Sequence, residues 1–169
     1  MTSAATASFP PRPVRRVLAA LDSVPFSVLI LVARAATFSV FIHSGLQKLS
    51  DWNSTLMLFR DEYRVPILPP DVAAYMAASM ELGLSTLVLI GLATRLSALG
   101  LLCMVAVIQV FVYPDAWPDH IQWLGFMIFI VCRGPGAFSL DALIGRFMRK
   151  RLRPDGRRVG AEAGLQRSG

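Results

Sequence analysis

Four long apolar stretches, at about residues 26–46, 71–92, 95–113 and 117–132, limit the folds open to this chain. A helix of a water-soluble fold keeps a polar outer face, and these stretches have almost none. Most approach the ~20 residues that carry a helix across a ~30 Å hydrocarbon core. A backbone in lipid must also satisfy its own hydrogen bonds, which favours helices. The last stretch is the shortest, with about 24 Å of helical rise. Gly91 to Thr94 and the segment YPDAWPDH are short links, so the spans they join are antiparallel neighbours. The expected fold is an all-α membrane protein, an up-down four-transmembrane-helix bundle. Ala33-Arg34-Ala35 mimics a leader-peptide cleavage site, but the apolar run continues through Phe38, Val40, Phe41 and Ile42. An uncleaved helix is expected.

The remaining segments divide around this core. Residues 1–22 read as a small, Pro-rich disordered tail followed from Val14 to Asp22 by a short basic interfacial helix with Arg15 and Arg16. Residues 23–147 form the transmembrane domain, and 148–169 a basic disordered tail. In the link 49–70, Pro66, Pro69 and Pro70 break any continuous helix. Leu56, Met57, Leu58 and Phe59 suit a short interfacial helix there, and Asp71 an N-cap for the second span. After the fourth span, Gly134-Pro135-Gly136 stops the chain, and Ser139 is placed to cap a new helix with Asp141 in its first turn. Leu140, Leu143, Ile144 and Phe147 then recur on one face, with Arg146, Arg149, Lys150 and Arg151 on or beyond the other. This predicts a C-terminal amphipathic helix lying on the membrane surface.

The chain carries 17 Lys+Arg against 11 Asp+Glu, a formal +6, with most of the surplus at its two ends beside apolar spans. That distribution suits anionic lipid headgroups rather than nucleic acid. With the N-terminus inside, Arg12, Arg15, Arg16, Arg95, Arg133 and the whole basic tail face the cytoplasm. Only Lys48, Arg60 and Arg64 then lie in outer links. The positive-inside rule therefore favours N-in and C-in. Trp52, Tyr113, Trp117 and Trp123 fall at or near the outer ends of spans, where aromatic belts form.

Two charges fall deep within the spans, away from their ends. Arg34 lies ~12 Å from the inner start of span one, and Glu81 ~15 Å from the outer start of span two. In a core ~30 Å thick these depths nearly coincide, so the two are expected to form an intramembrane ion pair. Such a pair either locks two helices together or forms part of a ligand, quinone-headgroup or proton site. A second group, His43, Gln47, Lys48, Gln109 and Gln122, lies at similar estimated depths near the outer face and is expected to line a polar pocket. Cys103 and Cys132 read as small buried hydrophobes. No spacing of His and Cys suits a metal or haem, and no phosphate loop, hydrolase triad or thiol pair is present. No covalently bound cofactor is expected.

Arg34, then Ser44-Gly45-Leu46-Gln47-Lys48-Leu49, Glu81-Leu82-Gly83 and Gly91-Leu92-Ala93-Thr94-Arg95-Leu96-Ser97-Ala98 follow one another in order. Pro114, Gly134-Pro135-Gly136 and Ser139-Leu140-Asp141 complete the series. In this the chain resembles the DoxX family of small four-helix membrane proteins. The resemblance implies a multi-pass protein of the bacterial cytoplasmic (inner) membrane. It further implies a membrane subunit of a quinone-linked or redox-stress oxidoreductase complex, without a redox centre of its own. It marks Arg34, Gly45, Lys48, Glu81, Arg95, Gly134, Pro135, Gly136 and Asp141 as motif positions. On that reading the partners are the lipid bilayer, a soluble redox protein and further copies of the chain, with quinone as ligand. A non-enzymatic scaffold for a soluble partner and a small-solute or proton pathway are the alternatives.

Overall fold

The computed structural model describes residues 11–152. Residues 1–10 and 153–169, which hold most of the two tails expected to be disordered, lie outside the described residues. Within them all regular structure is helical: α1 (Arg12–Asp22), α2 (Phe26–Ser50), α3 (Trp52–Met57), α4 (Pro70–Ile90), α5 (Thr94–Val107), α6 (Trp117–Arg133) and α7 (Leu140–Leu152). Two π-helical segments interrupt this pattern. Leu58–Tyr63 follows α3, and Ile108–Val112 continues α5.

Among the described residues, three helices are long and apolar enough to cross a membrane: α2, α4, and α5 with its π extension. At 17 residues α6 is shorter than these. Helix α2 packs on α4, α4 on α5, α5 on α6, and α6 back on α2, which closes a ring. The ring has a basic end, where α1, α7 and the Gly91 turn gather, and a far end capped by α3 and the first π segment.

The outer surface is unlike a soluble protein's. Large apolar side chains stand outward, such as Val32 at 61% and Leu96 at 73% exposed, while Arg34, Thr37, Glu81, Ser85 and Ser97 are buried. Exposed apolar surface on this scale marks contact with lipid or another protein. Small residues at the helix contacts, including Ala33, Ala74, Ala78 and Ala98, let the backbones approach closely, as in membrane bundles. The main apolar core links Phe41, Val88, Leu101, Val105, Met127 and Ile130. A second, around Phe59, Ala73 and Ala74, fastens the first π segment to α4.

The helix ends follow from local chemistry. Gly91 ends α4 at φ +75°, with its N–H and that of Leu92 returned to Leu87. Ser139 caps α7 by accepting from the Ala142 N–H at 3.1 Å. Asp71 does not cap α4. That helix begins one residue earlier, at Pro70, whose fixed φ suits a first helical position. Asp71 instead pairs with Arg60 at 2.8 Å, both exposed. Helix α7 runs through Met148–Leu152, into the segment expected as a disordered tail. Both cysteines are free and exposed rather than buried, since each lies on a bundle surface where apolar side chains stand outward.

Candidate functional site

The expected Arg34–Glu81 ion pair is not formed. Arg34, only 1% exposed, reaches carbonyls at the basic end, and Glu81 reaches Lys48 toward the far end. The reason is geometric. A helical side chain leans toward the N-terminus of its own helix, so residues at one depth on antiparallel neighbours diverge.

Arg34 donates to four backbone carbonyls. Its Nε donates to Val88 O at 2.8 Å, Nη1 to Pro135 O at 3.0 Å and Phe138 O at 2.7 Å, and Nη2 to Leu89 O. Two of these carbonyls belong to the last turn of α4, where the helix dipole favours a cation. The guanidinium thus ties α2 to the end of α4 and to the segment after α6. Asp141 completes the fastening from α7. Its carboxylate accepts from Ala93 N at 2.9 Å, Thr94 N at 3.0 Å and Thr94 Oγ1 at 2.9 Å, which caps α5. The Asp141 N–H also donates to Gly91 O at 2.9 Å. Desolvation pushes the Asp141 carboxyl upward, but these hydrogen bonds and the nearby Arg34 charge outweigh it and hold the group below the usual range. Arg95 lies over Gly134, where an added Cβ would come within 3.1 Å of the guanidinium. The motif positions Arg34, Arg95, Gly134, Pro135, Gly136 and Asp141 therefore gather at one end, in a polar fastening.

Glu81 has a different partner. Lys48 near the end of α2 leans back into the bundle, and its Nζ lies 2.9 Å from both Glu81 Oε1 and Oε2 and 2.8 Å from Ser44 Oγ. Gly45 permits this approach. A Cβ there would meet Leu82 at 2.8 Å and the Glu81 Cβ at 3.3 Å.

The Lys48–Glu81 pair forms part of the wall of an apolar cavity of about 300 Å³ between α4 and α5. Met76, Met80, Cys103, Met104 and Val107 line its side, and Tyr63 and Tyr113 lie toward the far end. Met76, Cys103 and Val107 are themselves exposed on the outer surface of the bundle, so the cavity adjoins the apolar belt. Both π segments contribute lining, through Phe59 and Tyr63 and through Ile108 and Val112. Such segments recur at functional sites because they widen the helix and re-aim its side chains. A second cavity, of about 330 Å³, holds Ser44, Gln47, Ser50, Asp51, Ser54 and Thr55. Lys48, Phe59 and Tyr63 belong to both.

The expected outer-side pocket is thus only partly assembled. Lys48 and Gln47 line the polar cavity, whereas His43 and Gln122 are exposed and line neither cavity. Gln122 donates to Pro118 O at 3.2 Å, within its own helix. Gln109 joins His120 instead, with its Oε1 2.6 Å from His120 Nδ1 and its Nε2 donating to Pro114 O at 2.6 Å. His120 is buried beside Trp123, where a loop position was expected. The depth of the two Cα atoms does not reveal the Lys48–Glu81 contact. The lean of a lysine toward the start of its helix was the available signal.

A DoxX family model matches residues 29–114. An uncharacterized protein of Haemophilus influenzae is 25% identical over 136 residues, covering 73% of this chain and 88% of the relative. No solved structure matches.

Proposed function

The chain belongs to the DoxX family, and from that premise we propose that this membrane protein is the membrane subunit of a quinone-linked oxidoreductase complex. The observation that carries the reading is the apolar cavity with the Lys48–Glu81 pair in its wall. Ligand sites are commonly concave, mostly apolar and furnished with a few convergent polar groups. A charged pair inside a membrane bundle is a functional candidate by its cost alone. The residues fit a quinone: Met76, Met80, Met104 and Val107 suit a tail or ring, and the polar pair suits a headgroup. When bound, such a group would supply the redox chemistry, with electrons exchanged with a soluble partner. This chain's residues would bind and orient it and exclude water.

The reading is tested by purifying the protein from native membranes and measuring quinone in the extract. An equimolar amount, lost in Lys48→Met with Glu81→Met, is expected. Quinone at no more than the surrounding lipid level would overturn it, and a soluble partner of non-redox type would favour the scaffold reading.

We also infer that α6 crosses the bilayer as a fourth span and that both termini face the cytoplasm of a bacterium. The positive charge near the basic end of the bundle supports this, with Arg12, Arg15, Arg16, Arg95, Arg133 and the α7 cations all there. A reporter fused after Gly169 should read as cytoplasmic, and a periplasmic signal would overturn the topology.

A further inference from the structure

The two cavities that meet at Lys48 differ in what they would hold. The apolar one, lined by Met76, Met80, Met104 and Val107, adjoins the lipid-facing belt. Such a cavity stays dry or takes an apolar guest. The other, of about 330 Å³, is walled by Ser44, Gln47, Ser50, Asp51, Ser54 and Thr55. A polar cavity of that size takes water, because each molecule finds several hydrogen-bonding partners there. Gln47, Ser50, Asp51 and Ser54 are exposed at its mouth, and Thr55 is buried within it. Lys48 belongs to both walls. Its Nζ lies 2.8 Å from Ser44 Oγ in the polar wall and 2.9 Å from Glu81 in the apolar one. The pair stands where a wet compartment meets a dry one.

The wet compartment is closed toward the basic end. Ser44 lies ~9 Å of helical rise inside the end of α2 at Ser50. Inward of it, Phe41, Val88, Leu101 and Val105 belong to the packed core. The hydroxyls of Thr37 and Ser85 are spent on their own helices. Thr37 Oγ1 donates to Ala33 O at 2.9 Å, and Ser85 Oγ to Glu81 O. Farther inward, the Arg34 guanidinium is bound to carbonyls. Water that reaches the pair therefore comes from the far end.

We propose that the polar cavity is a one-sided proton passage, which joins the Lys48–Glu81 pair to the aqueous phase at the far end of the bundle and to no other. Its service rests on the reading above, since it acts for the ligand of the apolar cavity. That ligand enters from lipid. Protons it gives up or takes on at the pair travel past Ser44 and through cavity water to the far mouth. Lys48, Asp51 and Tyr63 are the titratable groups that line this route, with Glu81 at its inner end. With both termini in the cytoplasm, the mouth opens on the outside of the cell.

The test is thiol labelling of the full chain in right-side-out and inverted membrane vesicles, in a Cys103→Ser, Cys132→Ser background. Asn53→Cys and Lys150→Cys, at exposed positions, mark the far and basic faces. Ser44→Cys and Thr55→Cys should react with a charged, impermeant methanethiosulfonate from the Asn53 face alone, and Thr37→Cys from neither face. With a permeant maleimide, the rate at Ser44→Cys should follow the pH of the Asn53 face and ignore that of the other. It should rise by up to about tenfold per pH unit below the thiol's pKa, because the thiolate is the reacting form. Thr55→Cys carries the same measurements if Ser44→Cys does not fold. Labelling by the permeant reagent alone overturns the wet passage. A rate indifferent to the pH of both faces overturns the proton route, and labelling or a pH response from the Lys150 face overturns its one-sidedness. No readout here uses a quinone, so the passage can fail while quinone still co-purifies, and can stand where quinone is absent.

Discussion

The Lys48 ammonium lies 2.9 Å from each carboxylate oxygen of Glu81, so α2 and α4 share one charge-neutral pair between the apolar cavity and a polar one. Removing either partner leaves the other charge buried and alone. Lys48→Met or Glu81→Met should each destabilise the protein by about 3–5 kcal/mol, and the double variant should recover most of that loss. Denaturant unfolding of the four proteins in one detergent checks this. A double variant as unstable as the sum of the singles would show that the charges are not coupled.

Arg34 should couple to backbone rather than to Glu81. Arg34→Met strips donors from the carbonyls of Val88, Leu89, Pro135 and Phe138, at a cost of at least ~3 kcal/mol. Adding Glu81→Met should bring no rescue, because the two side chains turn to opposite ends. A double-mutant cycle between positions 34 and 81 should close within about 0.5 kcal/mol.

Gly91 meets two constraints at once. Its φ of +75° is costly for any residue with a side chain, and a Cβ would fall 2.6 Å from Arg34 Nη2 and strike the Ser139 side chain. Gly91→Ala should lower stability by about 2–4 kcal/mol. Gly83→Ala makes a control, since nothing lies within 4 Å of a Cβ there.

Asp141 gives the fold an acid limit. Its carboxyl is held below the unfolded value, so its contribution is fully present above about pH 4 and is lost as pH falls through the lower folded value. Stability measured from pH 7 downward should therefore begin to fall near pH 4. Asp141→Asn should be less stable at neutral pH and should show a shallower acid slope.

Tyr113 connects the two π segments. Its hydroxyl bonds Glu62 at 2.7 Å, and its ring meets that of Tyr63 edge-on at 5.5 Å. Tyr113→Phe should cost about 1 kcal/mol, read as a shift in denaturant unfolding of the protein in detergent. An unchanged unfolding midpoint would show that the bond to Glu62 does not hold the two π segments together.

The helices were legible from the sequence because apolar runs and breakers report directly on the backbone. Span limits near Phe26 and Leu92, the stop at Gly134 and the Ser139 cap all follow from such local signals. The pairing of charges was not legible by depth alone. Depth places a Cα, whereas Arg34, Lys48 and Glu81 are long side chains whose tips lie several ångströms away, each toward the start of its own helix. Counting depth therefore joined Arg34 to Glu81 and missed Lys48. The π segments were also hidden. No local composition distinguishes Ile108–Val112 from ordinary helix, yet this widened stretch carries Gln109 to His120 and Ile108 and Val112 to the cavity. Cys103 and Cys132 misled for a further reason. In water an apolar thiol is driven inward, whereas lipid tails are as apolar as the core and a lipid-facing position costs it nothing.

The carbonyl fastening around Arg34 has a mechanical consequence. Three chain segments, α2, the last turn of α4 and the stretch after α6, are riveted at the basic mouth through one buried guanidinium, while the opposite mouth is roofed by short, irregular turns. Strain from a guest entering the groove would be absorbed at the roof, and the riveted mouth would act as the fixed pivot. Amide exchange should accordingly begin in residues 57–69 and reach the Val88–Leu89 turn last.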